Sequence, residues 1–204
     1  MNHKQQTSPR LDPLPPEHTP ELQDQFHAFH KTLGFIPNSV LTMQRKPKLV
    51  RAFVAMQGAI WDPESKVDRG FKRLLAHVAS SSANDPYSMA HTASGALHFG
   101  IDREKLAAVR TFQSSARFSE AEKVALAFAA AASATPSAVT DEAFAALRRH
   151  WDEEEIVEIL AAIAMASFLA RWNITMITPI EEEPLAIGEK HLAPHGWSAG
   201  RHRR

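Results

Sequence analysis

Residues 83–91 read A-N-D-P-Y-S-M-A-H. A phenol (Tyr87), a hydroxyl (Ser88) and an imidazole (His91) fall there within two helical turns. Asp85 and Pro86 are the N-cap and first residue of the helix that carries them. His91 follows Ser88 by three positions, which puts both on one face. The free amides and positive dipole end at such a helix start favour an ionised nucleophile, a carboxylate or an enolate. Arg73 and His77, four residues apart on the preceding helix, would approach Ser88 and His91 if the two helices pack as a hairpin. A guanidinium, two imidazoles, a phenol and a hydroxyl then make a pocket for an anionic or carbonyl-containing small molecule. The candidate catalytic residues are His91, Ser88 and Tyr87. The candidate substrate-binding residues are Arg73, His77 and Asp85.

Plainer roles stand beside these. Asp85 is foremost a helix cap, Ser88 a good first-turn residue, Tyr87 a packed aromatic and His91 a core imidazole. No third carboxylate orients a Ser88–His91 pair, which argues against a hydrolase triad.

Composition removes other chemistries. Among 204 residues there is no cysteine, so disulfides, thiolate nucleophiles and cysteine metal sites are impossible. Lysine plus arginine equals aspartate plus glutamate at 23 each, so no net field draws the chain to nucleic acid or anionic lipid. His27 and His30 have metal-ligand spacing but no matching ligands elsewhere, and neither a metal nor another cofactor is expected. The first ten residues contain no apolar run, and the longest one, 159–170, is too short to span a bilayer. The expectation is a soluble cytoplasmic protein with no membrane partner.

The elements that must position the site read as helices throughout. Residues 1–18 form a proline-rich arm. Thr19-Pro20 starts a helix that Gly34 ends. Short helices follow from Pro37-Asn38 and from Pro47, the second stopped by Trp61-Asp62-Pro63. A helix over 67–82 carries Phe71, Leu74, Leu75 and Val78 on one stripe. The helix from Asp85 runs to Phe99, and one capped by Asp102 runs to about Phe112. Capping boxes at Ser119/Glu122 and Asp152/Glu155 open two more, with a helix capped by Thr140 between them. The last and longest runs from Glu153 to about Thr178. Glu181-Glu182-Glu183 is predicted to be a solvated exit, and the tail beyond Ala186 a loose or partner-bound arm. No segment alternates with a period of two. The fold class is all-α: an N-terminal arm over 1–18, one helical domain over 19–180 and a C-terminal tail over 181–204.

At Asp85-Pro86-Tyr87-Ser88-Met89-Ala90-His91-Thr92-Ala93 the chain resembles the alkylhydroperoxidase D-like / carboxymuconolactone decarboxylase family, in its peroxidase-related branch. The family's C-x-Y-C or C-x-H-C motif is followed by a histidine three or four residues later. Phe35-Ile36-Pro37-Asn38 upstream is similar to that branch's segment. F-S-E-A-E-K-V-A-L-A-F, V-T-D-E-A-F-A-A-L, D-E-E-E-I-V-E-I-L-A-A-I-A and R-W-N downstream are similar to the family's second half. The likeness covers about residues 20–178. It implies an AhpD-like helical bundle and a homo-oligomer.

The departures are specific. Asp85 and Ser88 stand at the two cysteine positions, and Arg73 stands where redox members carry a glutamate. His91 fits the three-residue histidine spacing, and Thr92 holds the alternative position. Peroxide reduction in the family runs through a thiolate and closure to a disulfide, which serine and aspartate cannot perform. A thiol-based alkylhydroperoxidase activity is therefore not expected. The decarboxylase-type members imply acid–base chemistry on a small carboxylated or carbonyl compound, with Arg73 holding a carboxylate and His91 moving a proton. The alternative is a catalytically inactive oligomeric binding or scaffold protein.

Overall fold

The computed structural model describes residues 9–203; the first eight residues of the expected N-terminal arm lie outside them. Ten α-helices and no strand are found among the described residues: α1 (Gln23–Leu33), α2 (Asn38–Met43), α3 (Pro47–Ile60), α4 (Arg69–Ser82), α5 (Pro86–His98), α6 (Arg103–Ala108), α7 (Glu120–Ala132), α8 (Asp141–Arg148), α9 (Glu153–Met176) and α10 (Glu182–Ile187).

Most ends lie where local chemistry puts them. Gly34 closes α1 in the left-handed region at φ 81°, where a Cβ would be strained. Asp102, Thr140 and both capping boxes accept first-turn amides as expected. Two ends differ. Thr19 caps nothing: the turn Pro20–Leu22 is a 3-10 helix, and the Thr19 hydroxyl donates to the Gln44 carbonyl at 3.5 Å instead. The helix after Asp102 tightens to a 3-10 turn at Val109–Thr111 rather than running on to Phe112.

Two apolar clusters hold these helices. The larger gathers α4, α5, α7 and α9 around Leu74, Leu75, Ala93, Leu126, Ile159 and Ile163. The smaller gathers α1, α2 and α3 around Leu22, Phe26, Val40 and Phe53, with Met165 reaching in from α9. The α3–α4 loop is tied down by Lys72, whose fully buried ammonium donates to the Ile60 carbonyl and the Ser65 hydroxyl, each at 2.7 Å. Glu158 lies 3.5 Å from that ammonium and accepts the amides of Lys66 and Val67. A buried ammonium is tolerable only with such partners.

Beyond α9 the chain departs from its expected course. Ile177 closes the helix in the left-handed region at φ 54° and is buried. A β-branched residue there costs about 1–2 kcal/mol, a strain held only where surrounding contacts demand it. The turn redirects Thr178–Glu181 back towards α5. The arm expected beyond Ala186 is folded onto the hairpin instead. Trp197 donates its indole N–H to the Pro86 carbonyl and packs against Gly188, where an added Cβ would lie 2.5 Å from the indole ring. His202 meets the Thr178 carbonyl through Nδ1, and its own carbonyl accepts the Ile180 amide. Residues 9–14 lie along the bundle as well, with the Arg10 amide donating to the Met176 carbonyl and that of Leu14 to the Leu41 carbonyl.

Candidate functional site

The α4–α5 hairpin turns through Asn84 at φ 52°, a conformation asparagine accepts more readily than most residues. Asp85 then caps α5 by accepting the Tyr87 amide at 3.2 Å. Its carboxyl is fully buried and its Oδ2 has no partner. Burial pushes its pKa from 3.8 up to about 6, against the lowering effect of the Ser88 hydroxyl, the Ser88 and Tyr87 amides and the charge of His91.

A cavity of about 340 Å³ opens along α5 at the seam between the two apolar clusters. Phe29, Leu33 and Val40 wall it on one side, and Ala76, Met165 and Leu169 on the other. Arg73, Tyr87, Ser88 and His91 all line it, so four of the six sequence candidates are brought together. Asp85 and His77 are not among its lining residues. Asp85 is buried in the hairpin turn. His77 faces a second cavity on the far side of the hairpin, shared with Met89, Trp197 and His191. Its Nδ1 lies 3.1 Å from the Met89 carbonyl and 3.0 Å from the Thr92 hydroxyl. A carbonyl can only accept, so Nδ1 carries a proton. Burial holds its pKa down to about 4.

The residue missing from the sequence reading is Glu181. Expected in a solvated run, it lies with its side chain 10% exposed against the hairpin. One oxygen, Oε2, lies 2.6 Å from His91 Nε2. The other, Oε1, accepts the Tyr87 hydroxyl at 2.9 Å and the amide of Asn38. Burial pushes the carboxyl upward, but the charge and hydrogen bond of His91 and the Asn38 amide outweigh it, and the net pKa falls below the ordinary value. Glu181 is therefore a carboxylate, and it must accept: Nε2 of His91 is the donor to it, and Nδ1 is the acceptor only when the ring carries a single proton. Tyr87 stacks on the imidazole at 4.3 Å and Phe35 meets it edge-on at 5.7 Å. Burial and the Glu181 charge raise the Tyr87 phenol well above its usual range, so it stays a donor. Asn38 Nδ2 also donates to the Pro179 carbonyl at 3.0 Å. The Phe35–Asn38 segment thus fixes both members of the pair.

Further along α5, Arg73 lies against Gly95, where an added Cβ would meet its Cδ and Nε at 3.0 Å. Its guanidinium stacks 3.8 Å above the Trp61 ring. Its buried Nε has no hydrogen-bond partner, and no carboxylate among the described residues pairs with it. Burial and the neighbouring Arg69 lower its pKa to about 10, which leaves it charged near neutrality. His91 and Gly95 are one turn apart on α5, so the cation and the His91–Glu181 pair are offset by about 6 Å along the helix. Ser88, by contrast, is 4% exposed and accepts from Asn173 Nδ2 at 3.3 Å. It is built into the cavity floor.

Residues 47–131 match the carboxymuconolactone decarboxylase family. The debrominase Bmp8, in its apo structure, is 36% identical with a TM-score of 0.81 over 88% of this chain and 96% of that one. A cysteine-to-alanine variant of Bmp8 in complex with 2,3,4-tribromopyrrole superposes with a TM-score of 0.82. A peroxidase-related protein from Ralstonia eutropha JMP134, an AhpD core, shares the fold at 20% identity and a TM-score of 0.74, over 85% of this chain and 94% of its own. The uncharacterized protein YnjA of Escherichia coli is 37% identical over 78 residues, which span 38% of this chain and 43% of YnjA.

Proposed function

The chain belongs to the carboxymuconolactone decarboxylase family, and from that premise and the cavity's geometry we propose that it is a cysteine-independent acid–base enzyme. Its substrate is a small, flat, largely apolar compound bearing a carboxylate and a carbonyl. The observation that carries this reading is the His91–Glu181 pair, 2.6 Å apart, at a cavity that also holds an unpaired arginine. Glu181 fixes the imidazole tautomer, and the free nitrogen of His91 takes a proton from carbon beside the carbonyl. Arg73 holds the carboxylate one turn away and stabilises charge that develops towards it. The apolar walls exclude water and strengthen both effects. Ser88 and Tyr87 support the pair: Tyr87 by stacking and by its bond to Glu181, Ser88 by closing the floor. The complex of Bmp8 with a halogenated pyrrole supports a ring-sized ligand for this fold. No thiolate step can be supplied by a chain without cysteine.

Binding without turnover is the second reading. It is favoured by the internal hydrogen bonds that already occupy Tyr87 and Glu181. Exchange into D2O separates the two. A panel of small lactone and keto carboxylates is incubated with the protein, and loss of the carbon-bound proton is followed by NMR. Exchange that disappears in His91→Ala, with ligand affinity retained, supports the enzyme. Affinity without exchange across the panel leaves the binding protein.

A further inference from the structure

His77 is the sequence candidate that faces away from the first cavity. It lines a separate cavity of about 370 Å³ between the α4–α5 hairpin, α6 and the folded-back tail. That volume is within the roughly 300–1,000 Å³ range of small-molecule sites. The ring is 3% exposed, and its Nδ1 is held by α5 through the Met89 carbonyl and the Thr92 hydroxyl. That hydroxyl gives its own hydrogen to the Ser88 carbonyl at 2.7 Å, so both neighbours accept from Nδ1. Nε2 has no hydrogen-bond partner among the described residues. With the pKa held at about 4, it carries no proton near neutrality. A buried acceptor without a donor is costly, and the cavity is where a donor can enter.

The other ionisable groups lining this cavity are all bases. They are Arg110, His191 and His195, with no carboxylate among the described lining residues. Arg110 and His195 are exposed and mark the mouth, whereas His77 lies inside. Arg110, in the turn Val109–Thr111, has no ion-pair partner among the described residues. Burial and the charges of Arg103 and Lys190 lower the His191 pKa, so the potential on this side is positive. Between mouth and interior the walls are apolar: Val78, Leu106, Phe112 and Trp197. Trp197 is a rigid wall, fixed by its bond to the Pro86 carbonyl and by Gly188 against its ring. Among the described residues no three of histidine, aspartate and glutamate are grouped to hold a metal ion, so these histidines act as hydrogen-bonding groups.

We propose that this cavity is a second small-molecule site, for a flat aromatic acid that carries a hydroxyl or N–H donor at the end opposite its carboxylate. The donor meets His77 Nε2 inside, the ring lies against Trp197, and the carboxylate stays at the mouth beside Arg110. The outer wall belongs to the same tail whose His202 holds Thr178 and Ile180, next to Glu181. An occupant therefore braces the segment that positions the His91–Glu181 pair, although it touches neither residue.

The probe is 4-hydroxybenzoate, followed by NMR at the His77 ring nitrogens and the Trp197 indole N–H. Both signals are expected to shift and saturate together, and exchange of the indole N–H with solvent slows. Blocking the donor in 4-methoxybenzoate, or removing the anion in phenol, weakens binding roughly ten-fold or more. Arg110→Gln weakens it similarly, while Arg73→Gln, in the other cavity, leaves the affinity read at these two signals unchanged. The site is overturned if neither signal saturates at millimolar probe, or if 4-methoxybenzoate binds as tightly as 4-hydroxybenzoate. It is also overturned if Arg73→Gln abolishes the shifts and Arg110→Gln leaves them intact.

Discussion

Glu181→Gln separates the positioning of His91 from its mere presence. The native carboxylate accepts three donors: Tyr87 Oη and the Asn38 amide at Oε1, and His91 Nε2 at Oε2. Glutamine keeps the shape but offers one acceptor oxygen and one donor amide. With its NH2 in the Oε1 place, the amide faces two buried donors, at a cost of roughly 1–3 kcal/mol for each bond lost. With its NH2 in the Oε2 place, only His91 is opposed, and the imidazole relieves the clash by moving its proton from Nε2 to Nδ1. The second arrangement wins. The nitrogen that accepted protons then carries one, and general-base catalysis is lost. The expected fall in kcat is of the order of 10²–10⁴, the range such catalysis supplies. Affinity for a carboxylate held at Arg73 should stay within a few-fold. Loss of one charge-assisted bond should cost about 1–2 kcal/mol of stability, or a few degrees in Tm for a chain of this size. The assay pairs D2O exchange rates with ¹H–¹⁵N NMR of the ring nitrogens, which reads the tautomer. The reasoning fails if His91 keeps its proton on Nε2 in Glu181→Gln, or if exchange falls less than ten-fold after the proton has moved.

The remaining expectations concern charge under the cavity. Asp85 is bound more tightly by protons in the fold, so the stability it gives is complete below pH 3.8 and lost as pH rises through about 6. Asp85→Asn keeps a good cap and should raise stability by up to about 3 kcal/mol above pH 6 while adding nothing at pH 4, as chemical denaturation across pH would show. His77 works in the opposite sense: its pKa is depressed from 6.5 to about 4, so its contribution is present above pH 6.5 and lost as pH falls through 4. The two windows overlap, so this part of the wild-type pH profile should be nearly flat, and His77→Gln should leave the Asp85 slope exposed. Gly95→Ala should push Arg73 aside without removing its charge, and raise KM for carboxylate substrates roughly ten-fold with kcat less affected.

What the sequence revealed and what it hid divide along chain separation. Caps are local, so Asp85, Asp102, Thr140 and the boxes at Ser119 and Asp152 could be read from a few neighbouring residues. The face of α4 was nearly legible. Arg73, Ala76 and Ser80 line the cavity together, and their common direction lies about 60° around the helix from His77. The four-residue spacing of Arg73 and His77 is satisfied, yet α5 packs between them, and only its register decides which side each serves. Glu181 left no such trace. It lies 90 residues from His91 and inside a run of three glutamates, which composition reads as a solvated face. Its burial depends on a left-handed Ile177, on the His202 contacts that turn residues 178–180 inward, and on an amide supplied by Asn38. Arg73 stands where the resemblance implies an acid one helix before the motif. A carboxylate nevertheless reaches the histidine from the opposite end of the chain. The imidazole is thus oriented by a carboxylate from the far end of the chain, and the α4 side of the cavity carries a cation. That pairing of an oriented imidazole with a cation is what the proposed anionic substrate rests on.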